Sequence, residues 1–344
     1  MKITTIGIDL AKNVLQVHGV DLHGKVIVRK QLRRDQVMTF FANLEPCLVG
    51  MEACGSAHHW ARQLQSLGHT VKLIAPQFVK PYVKSNKSDA ADAEAICEAV
   101  SRPTMRFVPI KNIDQQAILS LHRARQGFIK ARTAQANQIR GLLAEYGLVV
   151  PQGINYIRQR VPAMLEDATY DLPGIFRALI DRLLDYLKIL DQQIDEIEAQ
   201  IQTWHRANEA SQRLEQIPGI GPLTATAMVA TVGNARNFKN GRELAAWLGL
   251  VPRQHSTGGK PKLLGISKRG DIYLRTLLIH GARSLAYACS KKASQEHWLY
   301  KLINRRGTNV AVVAQANKTA RIVWAMLTND RDFRVDYGKT KAIA

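Results

Sequence analysis

Residues 2–32 read KITTIGIDLAKNVLQVHGVDLHGKVIVRKQL. Three strand-like runs stand in this stretch: KITTIGIDLA, VLQVHGVD and KVIVRKQL. DLHGK joins the last two as a hairpin-type turn, so the stretch predicts three successive strands. Beyond it the pattern changes period. RDQVMTFFANL reads as a helix with Asp35 as its N-cap. PCLVGMEA is a second short apolar run, and SAHHWARQLQSLG reads as a helix ended by Gly68. HTVKLIA is another strand, and SDAADAEAICEAV is a helix that starts at Ser88 or Asp89.

Three hairpin-connected strands followed by helix, strand, helix, strand and helix is the element order of the ribonuclease-H fold, an α/β architecture. We expect it to occupy residues 1–110. Residues 111–210 read as long helices with a connector. Positions 114–146 form one helix whose polar side carries Arg123, Arg125, Lys130, Arg132 and Arg140, either a solvated face or a rail for phosphates. Phe176, Ile180, Leu183, Leu187, Leu190, Ile194, Ile197, Ile201 and Trp204 repeat at steps of four and three, a coiled-coil seam. So narrow a strip needs a partner helix. The 114–146 helix would serve, and a second copy of the chain is preferred. Pro151, Gly153, Pro162, Pro173 and Gly174 mark a connector with some short structure.

The last part, 211–344, reads as mostly helical. LEQIPGIGPLTATAMVATVG places Pro218-Gly219-Ile220-Gly221-Pro222 between two helices, a helix-hairpin-helix pattern. Gly219 and Gly221 let the backbone turn tightly and leave amides at a helix N-terminus for a phosphate. Such a motif reads backbone, not bases.

Charge points the same way. The chain has 344 residues and a formal charge of +20, from 48 Lys and Arg against 28 Asp and Glu. From Arg253 onward there are 18 basic and 5 acidic residues, so +13 of that excess sits in the final part. An imbalance this clustered points to a polyanionic partner, above all nucleic acid. Cys47, Cys54, Cys97 and Cys289 show no CxxC spacing, so reduced thiols in a cytoplasmic protein are expected. No stretch is apolar enough to span a membrane, and MKITTIGIDLAKNV does not read as a signal peptide.

Two sets of residues carry chemistry. Asp9 ends the first strand, Glu52 sits at the matching end of CLVGME, and Asp89 and Asp92 share a face at a helix start. Crowded carboxylates repel unless a cation neutralises them, and an all-oxygen set suits Mg2+. Such ions stabilise the attacking and leaving oxygens of a phosphoryl displacement. Glu94 and Glu98 on the same helix point elsewhere or lie too far along it. The second set is PRQHSTGGK, from Pro252 to Lys260. It cradles a phosphate at Gly258-Gly259-Lys260, or one of its hydroxyls attacks a phosphate. His255 is a positioning residue or a proton acceptor. Lys268, Arg269 and Arg275 are the expected phosphate contacts beside it.

GIDLAKN, GMEACGSAHHWARQL, KSDAADAEAI, IPGIGPLTA, LAAWLGLVPRQHSTGGK and GISKRGDIYLRTLLIHGAR, taken in order, resemble the DEDD transposases of bacterial insertion sequences, recombinases guided by a bridge RNA. The resemblance covers nearly the whole chain. It implies a RuvC-like domain of ribonuclease-H fold whose acidic tetrad falls on Asp9, Glu52, Asp89 and Asp92. It also implies a C-terminal transposase domain whose serine nucleophile, Ser256, forms a covalent phosphoserine link to DNA. Thr257 stands where the family pattern has a second serine. The implied partners are double-stranded DNA at the element ends and target, a non-coding bridge RNA, and further copies of the chain, a coiled-coil homodimer and a tetramer at synapsis. A metal-dependent junction resolvase using water would need the carboxylates without the serine. An RNA-binding scaffold would need neither.

Overall fold

In the computed structural model, which describes residues 2–84, 86, 88–291 and 298–334, strand β1 (Thr5–Leu10) buries Ile6 and Ile8 completely. It pairs antiparallel with β2 (Val14–Val20), which pairs antiparallel with β3 (Val26–Arg33). After α1 (Val37–Ala42) comes β4 (Leu48–Glu52), parallel to β1. α2 (Ala57–Ser66) leads to β5 (Thr70–Ile74), parallel to β4. The short α3 (Pro76–Val79) and then α4 (Asp89–Val100) follow, and β6 (Phe107–Val108) closes the far edge antiparallel to β5. The sheet order is β3-β2-β1-β4-β5-β6.

Side chains alternate across a strand, and the register shows what each face does. Ile6 pairs with Val49 and Ile8 with Met51, and these four pack with Phe41 of α1 and Trp60 and Leu64 of α2. Gly7 pairs with Gly50, and both open onto α4. A Cβ on Gly7 would lie 2.2 Å from the Ala93 carbonyl oxygen, and one on Gly50 would lie 2.7 Å from Val100 Cβ. The paired glycines are therefore the groove in which α4 sits. Ser88 caps α4 by accepting from the Ala91 amide at 3.2 Å. Gly68, at φ 89°, stops α2 with its amide on Gln65 and the following His69 amide on Leu64. Asp35 does not cap α1. It lies inside a single 3-10 turn, Arg34–Gln36, one residue before Gln36 at the N-cap position, and its carboxylate accepts from the Arg33 guanidinium while the Gln36 side chain takes the Arg33 amide.

The chain falls into two compact units, Met1–Asp114 and Gln115–Ala344. The second is helical. α5 (Ile113–Ala144), α6 (Ile154–Glu166) and α7 (Gly174–Arg206) come first. α8 (Glu209–Glu215), α9 (Pro222–Val232) and α10 (Gly241–Trp247) follow. Then come a hairpin of β7 (Pro252–Gln254) and β8 (Leu263–Ile266), and α11 (Ile272–Lys291), α12 (Trp298–Arg306) and α13 (Thr308–Asn329). Residues 292–297 and 335–344 of the basic tail lie outside the described residues.

The α7 seam is filled from within the chain. Phe176, Ile180, Leu184 and Leu187 pack on Ala136, Ile139 and Leu143 of α5 and on Ile157 and Val161 of α6. Ile197 and Ile201 pack on Ile118 of α5 and Ala230 of α9. A second copy is not needed to cover it, which corrects the preferred partner. Leu184 and His205 take the buried places expected for Leu183 and Trp204, since a straight helix drifts from a strict heptad. The connector holds more structure than expected. α6 continues through Pro162, and the burial of Ile157 and Val161 outweighs the lost backbone bond.

Three of the five basic residues on α5 are committed inside this unit. Arg125 Nε donates to Glu198 at 2.7 Å, and Arg132 to Asp191 at 3.1 Å. Arg140 donates to the carbonyls of Pro151 and Gly153. Arg123 and Lys130 stay exposed. The phosphate rail thus shrinks to two side chains.

Candidate active site and nucleic-acid interface

The β1/β4 register carries Asp9 and Glu52 one step past the paired Ile8 and Met51. Neighbouring strands run about 4.8 Å apart, so the two residues leave the sheet side by side. Both follow the glycines by two positions and so face α4. They are half-buried. Cys54 registers the pair, because its thiol is pushed above the ordinary range first by burial and then by the charges of Glu52 and Asp9. Two carboxylates acting on one thiol are a concentrated negative field.

Asp89 lies one turn before Ala93 on the stripe of α4 that touches β1, and Asp92 lies on the adjoining stripe with buried Ile96. Helix α4 runs antiparallel to β1, since the Cys97 thiol reaches the Thr5 carbonyl while Ala93 meets Gly7. Its first turn thereby extends toward the strand ends that carry Asp9 and Glu52. Among the described residues, no three His, Cys, Asp or Glu side chains are gathered closely enough to hold a metal ion. The structure thus joins Asp9 with Glu52 and sets Asp89 and Asp92 on the helix packed over that face. The donors are all carboxylate oxygens, the type a hard divalent cation takes, but the four are not gathered into one cluster among the described residues. Glu94 and Glu98 are engaged elsewhere, Glu94 with Arg29 at 3.1 Å and Glu98 with Lys84 at 2.9 Å.

Ser256 stands on the β7–β8 hairpin. Gln254 pairs with Leu263, the His255 amide donates to the Lys262 carbonyl at 2.9 Å, and Thr257 bridges Lys260. Gly258 and Gly259 form the tip with φ of 55° and 75°, both in the left-handed region, as a two-residue hairpin turn of mirrored type requires. The glycines therefore build the ribbon's end. Ser256 Oγ accepts from Gln254 Nε2 at 2.9 Å and from the Lys262 amide at 3.2 Å. Two donors aimed at one hydroxyl oxygen stabilise the negative charge it gains on losing its proton. Alternation along the ribbon sends Thr257 to the opposite face, with His255, Lys260 and Lys262. Sequence reasoning named the hydroxyls but missed Gln254 and the hairpin. The Gly-Gly pair flanked by residues able to form strands was the available signal.

The expected phosphate contacts divide. Lys260, Lys268 and Arg269 are exposed. Lys268 is held at φ 53°, its amide on the Gly249 carbonyl. A Cβ on Gly249 would lie 2.1 Å from the Arg269 carbonyl oxygen, so this basic turn is pressed onto the chain beneath it. Arg275 is different. It is 7% exposed and donates to the carbonyls of Leu248 at 3.0 Å and Arg269 at 3.1 Å. It ties the end of α10 to the basic turn, which corrects its expected role as a phosphate contact.

Gly221 is the N-cap of α9, and Gly219 is exposed at φ 89°. A Cβ on Gly219 would stand 2.8 Å from the Gly281 carbonyl oxygen on α11, so close packing as well as turn geometry requires glycine there. Behind this turn His122 is buried, with Nδ1 bonded to Tyr273 Oη at 2.9 Å and Nε2 to Thr226 Oγ1 at 3.0 Å. Burial, then the charge of Arg125, pushes its pKa down to about 4. It serves as a neutral strut between α5, α9 and α11. Among the described residues no helix is long and apolar enough to cross a membrane.

A carboxylate pair at strand ends and an exposed basic ribbon are features suited to a protein that handles nucleic acid. The class of protein is given by its relatives. Residues 6–148 match a transposase family of DEDD, IS110 type, and residues 211–298 match the family described as "Transposase IS116/IS110/IS902 family". The chain is 54% identical over 336 residues to a probable family 20 transposase of Pseudomonas aeruginosa, covering 97% of this chain and 99% of that protein. It is 46% identical to the transposase for insertion sequence element IS1111A of Coxiella burnetii, covering 96% of this chain and 92% of that one. It is 44% identical to the transposase for insertion sequence element IS1328 of Yersinia enterocolitica, covering 96% and 98%. The chain belongs to the IS110/IS116/IS902 family of insertion-sequence transposases. It is a DNA transposase of DEDD type, and that acidic set implies use of a divalent metal.

Proposed function

We propose that this transposase cuts and rejoins DNA through a covalent link between Ser256 and a DNA phosphate, and that the acidic set binds Mg2+ in a unit of ribonuclease-H, RuvC-like type. The sheet order β3-β2-β1-β4-β5 with α4 across β1 and β4 supports that fold reading. The observation that carries the mechanism is the pair of donors on Ser256 Oγ, from Gln254 and the Lys262 amide. Ser256 Oγ attacks phosphorus and loses its proton. An O–P bond forms to serine, the P–O bond to the departing deoxyribose oxygen breaks, and that oxygen takes up a proton. One phosphodiester replaces another, so the bond energy is kept and the step runs backward onto a new DNA end. A cation held by Asp9 and Glu52, with Asp89 and Asp92, would supply Lewis acidity to phosphate oxygens.

Lys260, Lys268, Arg269 and the amides at Gly219 and Gly221 hold the DNA backbone in this account. Sequence choice falls to a bridge RNA that pairs with element ends and target. The few aromatic residues, 6%, and the excess of basic ones suit a protein that grips backbones. Assembly as a homodimer, and a tetramer at synapsis, is supported by a second apolar stripe on α7. Ile175, Leu179, Tyr186 and Ile189 are exposed there, apart from the buried seam.

The test is a denaturing gel of the chain incubated with Mg2+, element-end DNA and the element's non-coding RNA. A protein–DNA adduct is expected with wild type and Thr257→Ala, and none with Ser256→Ala or Asp9→Asn. Cleavage without adduct in wild type overturns the proposal in favour of water as nucleophile. A reaction indifferent to the RNA removes the guide from the account.

A further inference from the structure

The β7–β8 hairpin carries more than Ser256. Every residue from Pro252 to Gly265 is exposed. No acidic residue occurs between Glu243 and Asp271, while Arg253, Lys260, Lys262, Lys268 and Arg269 all do. A projecting, wholly cationic two-stranded ribbon has the width and the charge to enter a groove of a nucleic-acid duplex. Its two faces differ. Arg253, His255, Lys260, Lys262 and Leu264 alternate onto one side. Gln254, Ser256, Pro261 and Leu263 share the other, as the Gln254–Leu263 pairing and the Gln254–Ser256 hydrogen bond require. Leu263 is 66% exposed, beside a hydroxyl and with no charge on its own face.

We infer that Leu263, with Pro261 beside it, is a nucleoside seat. It packs against the base and sugar next to the phosphate presented to Ser256 and unstacks that base from its neighbour. The inference rests on the proposal that Ser256 acts on DNA and names the ligand of the same face. Apolar side chains inserted between base steps unstack and bend duplexes in just this manner. The occupant is DNA rather than another protein surface because Arg253, Lys260 and Lys262 line the other face of the same ribbon and no acidic residue occurs between Glu243 and Asp271. An unstacked nucleotide brings its phosphate out of the regular backbone, where in-line attack by a fixed hydroxyl is open.

The experiment uses element-end DNA with 2-aminopurine beside the cleavage position, in the presence of Mg2+ and the non-coding RNA. The full chain carries Ser256→Ala so that nothing is cut. Fluorescence is expected to rise on binding, to stay low with Leu263→Ala added, and to rise normally with Leu264→Ala, which removes an exposed leucine from the other face. In the Ser256 chain, Leu263→Ala is expected to slow adduct formation roughly 10-fold, and Leu264→Ala less than about 2-fold. No rise, or a rise that survives Leu263→Ala, overturns the inference. So does a change of oligomeric mass on Leu263→Ala with the rise intact, which would place this face between copies of the chain. Adduct without unstacking sinks the seat and spares the serine. Leu263-dependent unstacking without adduct does the reverse.

Discussion

Gly7→Ala is a one-carbon change at the centre of the α/β unit. The new Cβ would stand 2.2 Å from the Ala93 carbonyl oxygen and 2.4 Å from the Cys97 amide nitrogen, where ordinary contact begins near 3.4 Å. Both obstacles are helix backbone, so no side chain can swing away. Helix α4 must retreat by about 1 Å, and Asp89 and Asp92 move with it. Overpacking of this kind costs about 1–3 kcal/mol, partly offset by up to about 1 kcal/mol from removing a strand glycine. A displacement of about 1 Å in a catalytic group costs on the order of 100-fold in rate. Urea denaturation and the rate of adduct formation measure the two effects. The rate is expected to fall by far more than the modest stability loss explains. Gly127→Ala, on α5 with nothing within 4 Å, is the control and should be neutral or slightly stabilising. Wild-type rate and stability in Gly7→Ala would refute the seating of α4 on β1.

Arg275→Lys should lose about 1.5–3 kcal/mol, because Nη1 alone bonds both the Leu248 and the Arg269 carbonyls and a lysine ammonium ends one atom short of that position; denaturation midpoints should fall while the salt dependence of DNA affinity keeps its slope. His122 should make the native state acid-sensitive. Its folded pKa of about 4 lies below the ordinary 6.5, so its contribution is complete above pH 6.5 and is lost as pH falls toward 4, on the order of 3 kcal/mol in all. Urea midpoints taken across that window should drop in wild type and drop less in His122→Gln. Ile189→Asp, on the exposed stripe of α7, should leave the helix folded and reduce the assembled mass in analytical ultracentrifugation; an unchanged mass would remove that stripe from the assembly.

Much of the first unit was legible because its signals are local. Apolar alternation in KITTIGIDLA, the DLHGK turn, Gly68 and Ser88 each act within a few residues. The adjacency of Asp9 and Glu52 was also legible, since parallel strands in register bring matching ends together. What depended on distant partners was not. The groove formed by Gly7 and Gly50 exists only once β1 and β4 are paired. Arg275 looked like its exposed neighbours Lys268 and Arg269, and nothing in GISKRGDIYLR marks it for burial against carbonyls from another element. The α7 seam announced a partner, with α5 and a second copy both open; α6, just ahead of α7, was hidden by Pro162, and α9 lies beyond the next helix. At the serine loop the glycines were read for phosphate, whereas their positive φ angles build the ribbon that aims Gln254 at Ser256.

Mass spectrometry of the protease-digested adduct distinguishes serine from water as the nucleophile on the DNA phosphate. The expected result is a peptide containing Ser256 that carries a nucleotide through its hydroxyl, with Thr257 unmodified. DNA ends that are free, with Ser256 unmodified at every time point, would contradict it.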